Sequence, residues 1–518
     1  MIIIIFCFLF IFSTMGRAKI EIERRIFGQQ LDHFGNEKDQ TEFKQVYYVD
    51  SQYYRIGGPV LLFSVGEREA RQSDIEDGWV SELARQTHGL AVLLEQRFYG
   101  NSVPGDLDNN TYNLLQFLTI DQMMADIKQF IDNAELPELQ QFQEKNTHAK
   151  DNAPWVLIGG SFAGNLMAWT KQKYPDIKAF VIASSAPMIV TDGYWEFDKM
   201  VAQRLPCANQ LSQAIQELDY ELDSGNQTTF EAIKRRFGLE QIQNKDIFVS
   251  ALSIQASSLI QAPAEQQALD RIESFCHDLT TKSLAHVTRE YSIWHRILPL
   301  AECPEGGDRS WFWQQCLELG MWQTAPPKSN HVQFRHRMRS QRLTTEYFQS
   351  QCRKCLPASQ NEWAETHRLQ FREFAETALT SYISAATASK ESSSVLFTVG
   401  ELDPWRYLTI DAQYPMLSSS HLLVIPGASH AEDLLAPVSS DNDRDNNEDD
   451  ERPAIRDARF RMIDAVKQWI REPQNRLHRM PSVVRRNKQK TNSGNTIYNT
   501  HRSAIVASLS PLLTLLAI

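Results

Sequence analysis

Ser161 stands among small residues, Gly159-Gly160-Ser161-Phe162-Ala163-Gly164, directly after the apolar run Trp155 to Ile158. A helical stretch with Leu166, Met167 and Trp169 comes next. Strand, tight turn bearing serine, then helix is a nucleophile elbow: the turn exposes the hydroxyl, and small neighbours avoid backbone clashes. The helix N-terminus beneath it favours developing negative charge. Ala163 occupies the position two after the serine where the standard elbow has glycine, a mild departure that a methyl group fits. Such a serine attacks a carbonyl, and for that it needs a base and a group that orients the base.

Both partners follow in order. The apolar run Val395 to Thr398 leads to Gly400-Glu401-Leu402-Asp403-Pro404-Trp405, and the run His421 to Ile425 leads to Pro426-Gly427-Ala428-Ser429-His430. Taken singly, the Gly-x-Ser-x-small string is an ordinary tight turn, Asp403 a turn residue and His430 a structural histidine. Their joint placement after successive strands makes them a triad, and Ser, then Asp, then His is the chain order of α/β-hydrolases. His430 would take the Ser161 proton and return it to the leaving group, while Asp403 would fix the imidazole tautomer. The oxyanion would be held by the Phe162 N–H and by one from the loop after Val65, at Gly66 and Glu67. Losing one such donor costs ~3–4 kcal/mol of transition-state stabilisation. His33, ahead of the sheet in Leu31-Asp32-His33-Phe34, reads as structural.

Short apolar runs supply the scaffold: Val60 to Val65, Leu90 to Glu95, Trp155 to Ile158 and Ala179 to Ala183. Between them lie stretches of helical spacing, Ile75 to Gln86 and Ile120 to Ile131. Alternating strands and amphipathic helices predict a mostly parallel sheet covered on both faces. From about Trp195 to Thr387 the pattern turns helical and polar, and a last helix is expected over Ala454 to Ile470. The expected fold class is α/β, an α/β-hydrolase core with an inserted helical, disulfide-containing cap. The expected divisions are 1–18 signal peptide, 19–190 first part of the core, 191–390 cap, 391–472 second part of the core and 473–518 tail.

The composition of 42% hydrophobic and 23% charged residues fits a globular protein and argues against long disorder. A mean hydropathy of -0.40 excludes a polytopic membrane protein, and a net charge of -11 gives nucleic acid no basic face to bind. Ile2 to Phe12 followed by Gly16-Arg17-Ala18 fits a secretory signal, although no Lys or Arg precedes the apolar stretch. A buried N-terminal strand is the bland alternative. Asn492-Ser493-Gly494, a polar spacer and the apolar Ala504 to Ile518 fit a GPI-attachment signal, against a tail that merely frays. Cys207, Cys276, Cys303, Cys316, Cys352 and Cys355 would remain after processing, and in an exported chain they read as three disulfides with 15 connectivities open. Cys352-x-x-Cys355 as half of a zinc or redox site is the weaker reading. Asn109 and Asn226 are glycosylation acceptors. The run Asp441 to Glu451 reads as a solvated acidic loop and Arg485 to Lys490 as a basic linker. No cofactor and no metal are expected.

At these residues the chain resembles the lysosomal Pro-X carboxypeptidase and dipeptidyl-peptidase II family of serine peptidases. The resemblance rests on FGQQLDHF (Phe27 to Phe34), LLEQRFYGNSVP (Leu93 to Pro104), GGSFAGNLMAW (Gly159 to Trp169), ASSAP (Ala183 to Pro187), WFWQQC (Trp311 to Cys316), GELDPW (Gly400 to Trp405) and the GASHAEDL around His430. It spans roughly Phe27 to Ile470, and Phe-Ala-Gly after Ser161 is closer to the thymus-specific serine protease branch. The resemblance implies an α/β-hydrolase core capped by a helical domain, exopeptidase action after proline, and a triad of Ser161, Asp403 and His430. Two departures bear on the pocket: Val65-Gly66-Glu67-Arg68 where many relatives have more glycine, and Arg406 after Asp-Pro-Trp. A substrate amine would need a carboxylate such as Glu67, a substrate carboxylate a cation such as Arg68 or Arg406, and Trp405 joins this substrate-binding set.

The expected function is thus a serine exopeptidase acting through an acyl-enzyme, either carboxypeptidase-like or dipeptidyl-peptidase-like. An esterase or lipase, and a non-catalytic binding protein on a hydrolase scaffold, are the competing readings. Peptides are the expected partners, with a lipid-anchored membrane attachment and a homodimer left open. The secretory pathway leads to the cell surface or exterior, or to the lysosome, and the sequence does not separate them.

Overall fold

The computed structural model of the chain describes residues 22–35, 41–105, 114–140, 153–261, 266–290, 303, 306–327, 336–388, 394–413, 421–436 and 452–477. The expected signal peptide, Asn109, the acidic loop from Asp441 to Glu451 and the C-terminal tail beyond Leu477 fall outside these residues. Elements up to Pro473 belong to one compact unit; from Gln474 on, only the end of the last helix is described.

Strands β1 (Glu23–Gln30), β2 (Glu42–Asp50), β3 (Val60–Ser64), β4 (Leu90–Leu94), β5 (Trp155–Gly160) and β6 (Ala179–Ser184) come first. After the short strands β7 (Thr191–Gly193) and β8 (Gly320–Trp322) come β9 (Val395–Gly400) and β10 (Leu422–Ile425). Eight of them form one sheet in the order β1-β2-β4-β3-β5-β6-β9-β10. β1–β2 and β2–β4 pair antiparallel and every other pair is parallel. The inner strands VLLFS, LAVLL and AFVIAS are buried along their whole length, as strands sandwiched between helices must be. The α/β-hydrolase expectation stands: the Ser161 turn follows β5, and the Asp403 and His430 loops follow β9 and β10.

Three local expectations need correction. β1 and β2 went unread; ERRIFGQQ of β1 leaves most of its side chains open at the sheet edge and shows no apolar run. His33 therefore follows β1 and does not precede the whole sheet. Its Nε2 lies 2.7 Å from Asp126 Oδ1, and Asp126 is held by the buried Arg97, with Nε to Oδ2 at 2.6 Å. Finally, the helix expected over Ile75 to Gln86 breaks at Gly78 into Gln72–Glu76 and Trp79–Thr87. A Cβ at Gly78 would meet the Asp74 carbonyl oxygen at 2.6 Å, so glycine permits the break.

Between β6 and β9 run the helices Glu196–Arg204, Ala208–Ser224, Gln227–Phe237, Lys245–Gln261, Gln266–Thr281, Leu284–Glu290, Gly306–Gln314, Thr345–Cys355 and Ala358–Ala388. The insertion is not purely helical, since β7 and β8 pair as a small parallel ribbon. One apolar core passes from Leu157, Phe162 and Trp169 into Phe197, Trp313 and Phe371 of the insertion. The other sheet face buries Trp79, Leu83, Phe180, Met462 and Val466. The last helix, Pro453–Leu477, thus closes the face opposite the insertion.

The six cysteines form the pairs Cys207–Cys276, Cys303–Cys355 and Cys316–Cys352. Cys352 and Cys355 go to different partners, which sets aside the zinc or redox reading of the closely spaced pair. Cys316–Cys352 closes 36 residues inside the insertion. Replacing both by alanine is expected to cost about 2–5 kcal/mol of stability, largely by freeing the unfolded chain. Denaturant unfolding checks this, and an unchanged midpoint would count against the pairing.

Candidate active site

β5 ends in Gly159 and Gly160, and Ser161 then adopts φ 56° and ψ -132° before the helix Phe162–Lys173 begins. A non-glycine residue at positive φ carries strain of about 1–3 kcal/mol, which the surroundings must impose. Here they do. The Ser161 N–H donates to the Ser184 carbonyl at 2.8 Å, and its own carbonyl accepts from Gly164 N–H at 2.9 Å. A Cβ on Gly159 would sit 2.4 Å from the Ala163 carbonyl group, so helix and strand approach closely only with glycine there. Ala163, the departure from the usual elbow, is fully buried and opposes Gly66, whose φ of +75° likewise demands glycine.

Asp403 and His430 meet. His430 Nδ1 lies 2.9 Å from Asp403 Oδ1, which also accepts the Trp405 N–H at 2.8 Å. Asp403 is completely buried. With Nδ1 donating to the carboxylate, Nε2 is the lone-pair nitrogen, as a general base requires. Among the described residues Nε2 has no hydrogen-bond partner, the Ser161 hydroxyl included. The two segments nevertheless lie close through their neighbours: a Cβ on Gly160 would come within 3.2 Å of the Ala431 Cβ. Burial pulls His430 down, but the charge and hydrogen bond of Asp403, with Glu67 and Asp433 behind them, leave it above the ordinary imidazole value.

Asp433 is a site residue that sequence reasoning missed. Its carboxylate accepts the Ser184 hydroxyl at 2.5 Å and the Thr398 hydroxyl at 2.6 Å, tying the ends of β6 and β9 to the His430 loop. Ser185 Oγ accepts the Ala431 N–H at 2.8 Å. Since the Ser184 carbonyl also holds the Ser161 N–H, one ring of contacts links the elbow to the histidine loop. Burial pushes the Asp433 carboxyl up, against the two hydroxyls and Arg459. The only sequence signal was an acid three residues after the histidine, which is too common to read.

The other expected residues are placed as follows. Phe162 opens the helix, so its N–H belongs to the unpaired first turn, and its ring meets Trp311 edge-on at 5.5 Å. The Gly66 N–H, expected as an oxyanion donor, here donates to Ser64 Oγ at 3.2 Å. Glu67 is partly buried within the electrostatic reach of His430, and burial raises its carboxyl despite its own N–H, His430 and Arg68. Arg68 grips Asp74 through two bonds of 2.9 and 2.7 Å, and Arg406 holds Asp411 at 2.6 Å. Trp405 stacks on Tyr194 at 5.4 Å, meets Phe197 at 5.3 Å and lies 6.5 Å from the His430 ring. Asn226 is exposed and caps the helix Gln227–Phe237 by accepting the Thr229 N–H.

Strand order and loop placement define an α/β-hydrolase. The chain belongs to the serine carboxypeptidase S28 family of peptidases, whose model matches residues 29–300 and 299–446. It is a serine-type peptidase, and its substrates are peptides. The serine protease vicPa of Bipolaris victoriae (strain FI3) is 26% identical over 505 residues, covering 86% of this chain and 88% of its own length. The thymus-specific serine protease of Homo sapiens is 24% identical over 488 residues, covering 86% of each. The lysosomal Pro-X carboxypeptidase of Mus musculus is 33% identical over 183 residues, 35% of this chain and 33% of that protein. Among solved structures, the peroxisomal alpha-beta-hydrolase Lpx1 of Saccharomyces cerevisiae matches over 91% of this chain and 93% of its own at 12% identity, with a TM-score of 0.35.

Proposed function

We propose that Ser161, Asp403 and His430 work as the catalytic triad of an exopeptidase that cleaves after proline. The observation that carries this reading is the buried His430–Asp403 contact of 2.9 Å on loops packed against the strained serine turn. In unliganded sites the serine–histidine contact is commonly loose and tightens with substrate. Attack by Ser161 Oγ forms the acyl bond as His430 Nε2 takes its proton, and that proton then leaves with the departing amine. The oxyanion is held by Phe162 N–H and the Gly66–Glu67 loop.

Proline preference draws on the aromatic surfaces beside the histidine. Trp405, Tyr194 and Phe197 form one cluster, and Phe162 with Trp311 forms a second. Flat apolar faces suit a pyrrolidine ring, which loses little conformational freedom on binding. The charges divide over which peptide end is held. Arg68 and Arg406 are each neutralised by a carboxylate of the chain itself, whereas Glu67 makes no ion pair among the described residues. That favours capture of a free amine and release of dipeptides. Release of a single C-terminal residue is the second reading, favoured by relatives named as carboxypeptidases. The same relatives, one named extracellular and one lysosomal, support our proposal of an exported enzyme.

The test uses one peptide with proline at its second and penultimate positions and both ends free, with products read by mass spectrometry. Loss of the first two residues is expected, and loss of only the last residue would select the second reading. An intact peptide under conditions where a fluorophosphonate still labels the protein would overturn the post-proline assignment.

A further inference from the structure

One cation of the insertion, Arg204, touches both catalytic loops. Arg204 is the last residue of the helix Glu196–Arg204. Its Nη1 donates to the Leu402 carbonyl at 3.1 Å, to the Ser429 hydroxyl oxygen at 3.0 Å and to the Ile260 carbonyl. Leu402 immediately precedes Asp403, and Ser429 immediately precedes His430. Ser429 is buried, and its hydroxyl faces the carbonyls of Ile260 and Gln261 at 3.1 and 3.2 Å. Those carbonyls end the helix Lys245–Gln261, where the last turn lacks internal partners and carries partial negative charge. The guanidinium thus binds a helix terminus of the insertion, the backbone of the Asp403 loop and a side chain of the His430 loop at once. A further contact runs parallel to it: Trp405 Nε1 donates to Gln261 Oε1 at 3.3 Å.

We propose that Arg204, seconded by Ser429, is a positioning residue that sets the spacing of Asp403 and His430 from the insertion side. The assignment rests on the triad reading. Arg204 touches neither catalytic side chain and acts through the residue before each. Its charge lies in the field of Glu432 and Asp403, and burial lowers its pKa without making an arginine neutral. A shift of the Lys245–Gln261 helix end is therefore transmitted to both loops, which couples what the insertion contacts to the alignment of the base.

The experiment compares Arg204→Gln, Arg204→Lys and Ser429→Ala with the wild type in the full-length protein. Three quantities are followed between pH 5 and 8: the rate of fluorophosphonate labelling, kcat and KM on the cleaved peptide, and the melting temperature. Arg204→Gln is expected to slow labelling and kcat by roughly 10- to 100-fold with little change in KM, the scale on which small misplacements of reacting groups act. It also moves the acid limb of the labelling profile. Arg204→Lys recovers part of the rate, since an ammonium can still reach two acceptors, and Ser429→Ala gives a smaller effect of the same kind. A folded Arg204→Gln with wild-type labelling rate and profile overturns the proposal, even if its melting temperature falls. If Arg204→Gln does not fold, the Arg204→Lys and Ser429→Ala profiles decide on the same criterion. A wild-type protein that never labels overturns the triad and this assignment with it, whereas labelled wild type with equally fast variants overturns only the role of Arg204.

Discussion

Ser161→Ala is expected to abolish peptide hydrolysis and fluorophosphonate labelling together, with the protein still folded. The expected loss in kcat is roughly a millionfold, the scale on which removing the nucleophile acts when serine and histidine work as a unit. Binding need not suffer, so KM on any residual activity stays near its original value. A second substitution separates chemistry from backbone strain. Ser161 holds φ 56° because its N–H is fixed to Ser184 and its carbonyl to Gly164. Ser161→Gly relieves a conformation worth about 1–3 kcal/mol, offset in part by the extra entropy glycine brings to the unfolded chain. It is therefore expected to melt above Ser161→Ala while being equally inactive. Thermal melts and active-site labelling on the three proteins check both statements. Full activity in Ser161→Ala would remove this serine from the reaction.

What could be read from the sequence follows from how local each signal is. The elbow is a contiguous string whose small residues answer to a steric demand, so Gly159 and Ser161 were legible. Asp403 and His430 were legible because each ends an apolar run, and the order of the three restricts the arrangement. The inner strands announced themselves as unbroken apolar segments. β1 did not, since an edge strand with one open face spends its residues on solvent. Arg204 left no trace either: its partners are carbonyls and a serine some 56 to 225 positions away, contacts that any arginine can make. The disulfide pairing stayed open for the same reason, because spacing alone does not report which helix ends approach. Arg68 and Arg406 show the converse. Their positions beside the pocket motifs were legible, but the carboxylates that occupy them, Asp74 and Asp411, are ordinary residues a few places along.

The pH dependence is where the charges around His430 become measurable. Hydrolysis needs the neutral imidazole, so activity falls as pH drops through the histidine's pKa. Burial acts to lower that pKa, while Asp403 first, then Glu67 and Asp433, raise it past the ordinary 6.5. The acid limb of kcat/KM is therefore expected above 6.5, which suits a neutral compartment better than an acidic one. Asp403→Asn takes away the leading raising contribution and leaves the lowering effect of burial. Its limb is expected to move to lower pH, while the plateau drops by roughly 10⁴-fold because the tautomer is no longer held. Glu67→Gln shifts the acid limb of fluorophosphonate labelling, which needs no substrate amine, in the same direction by less, with the labelling plateau largely kept. Glu67 itself is raised by burial, so it takes up its proton at a higher pH than an ordinary carboxylate. If it holds the substrate amine, KM for a free-amine peptide rises as pH falls through that value, and blocking the amine removes the rise. Labelling and peptide kinetics across pH 4 to 9 read all of these. An acid limb that stays in place in Asp403→Asn would detach the limb from His430, and with it the pairing on which the mechanism depends.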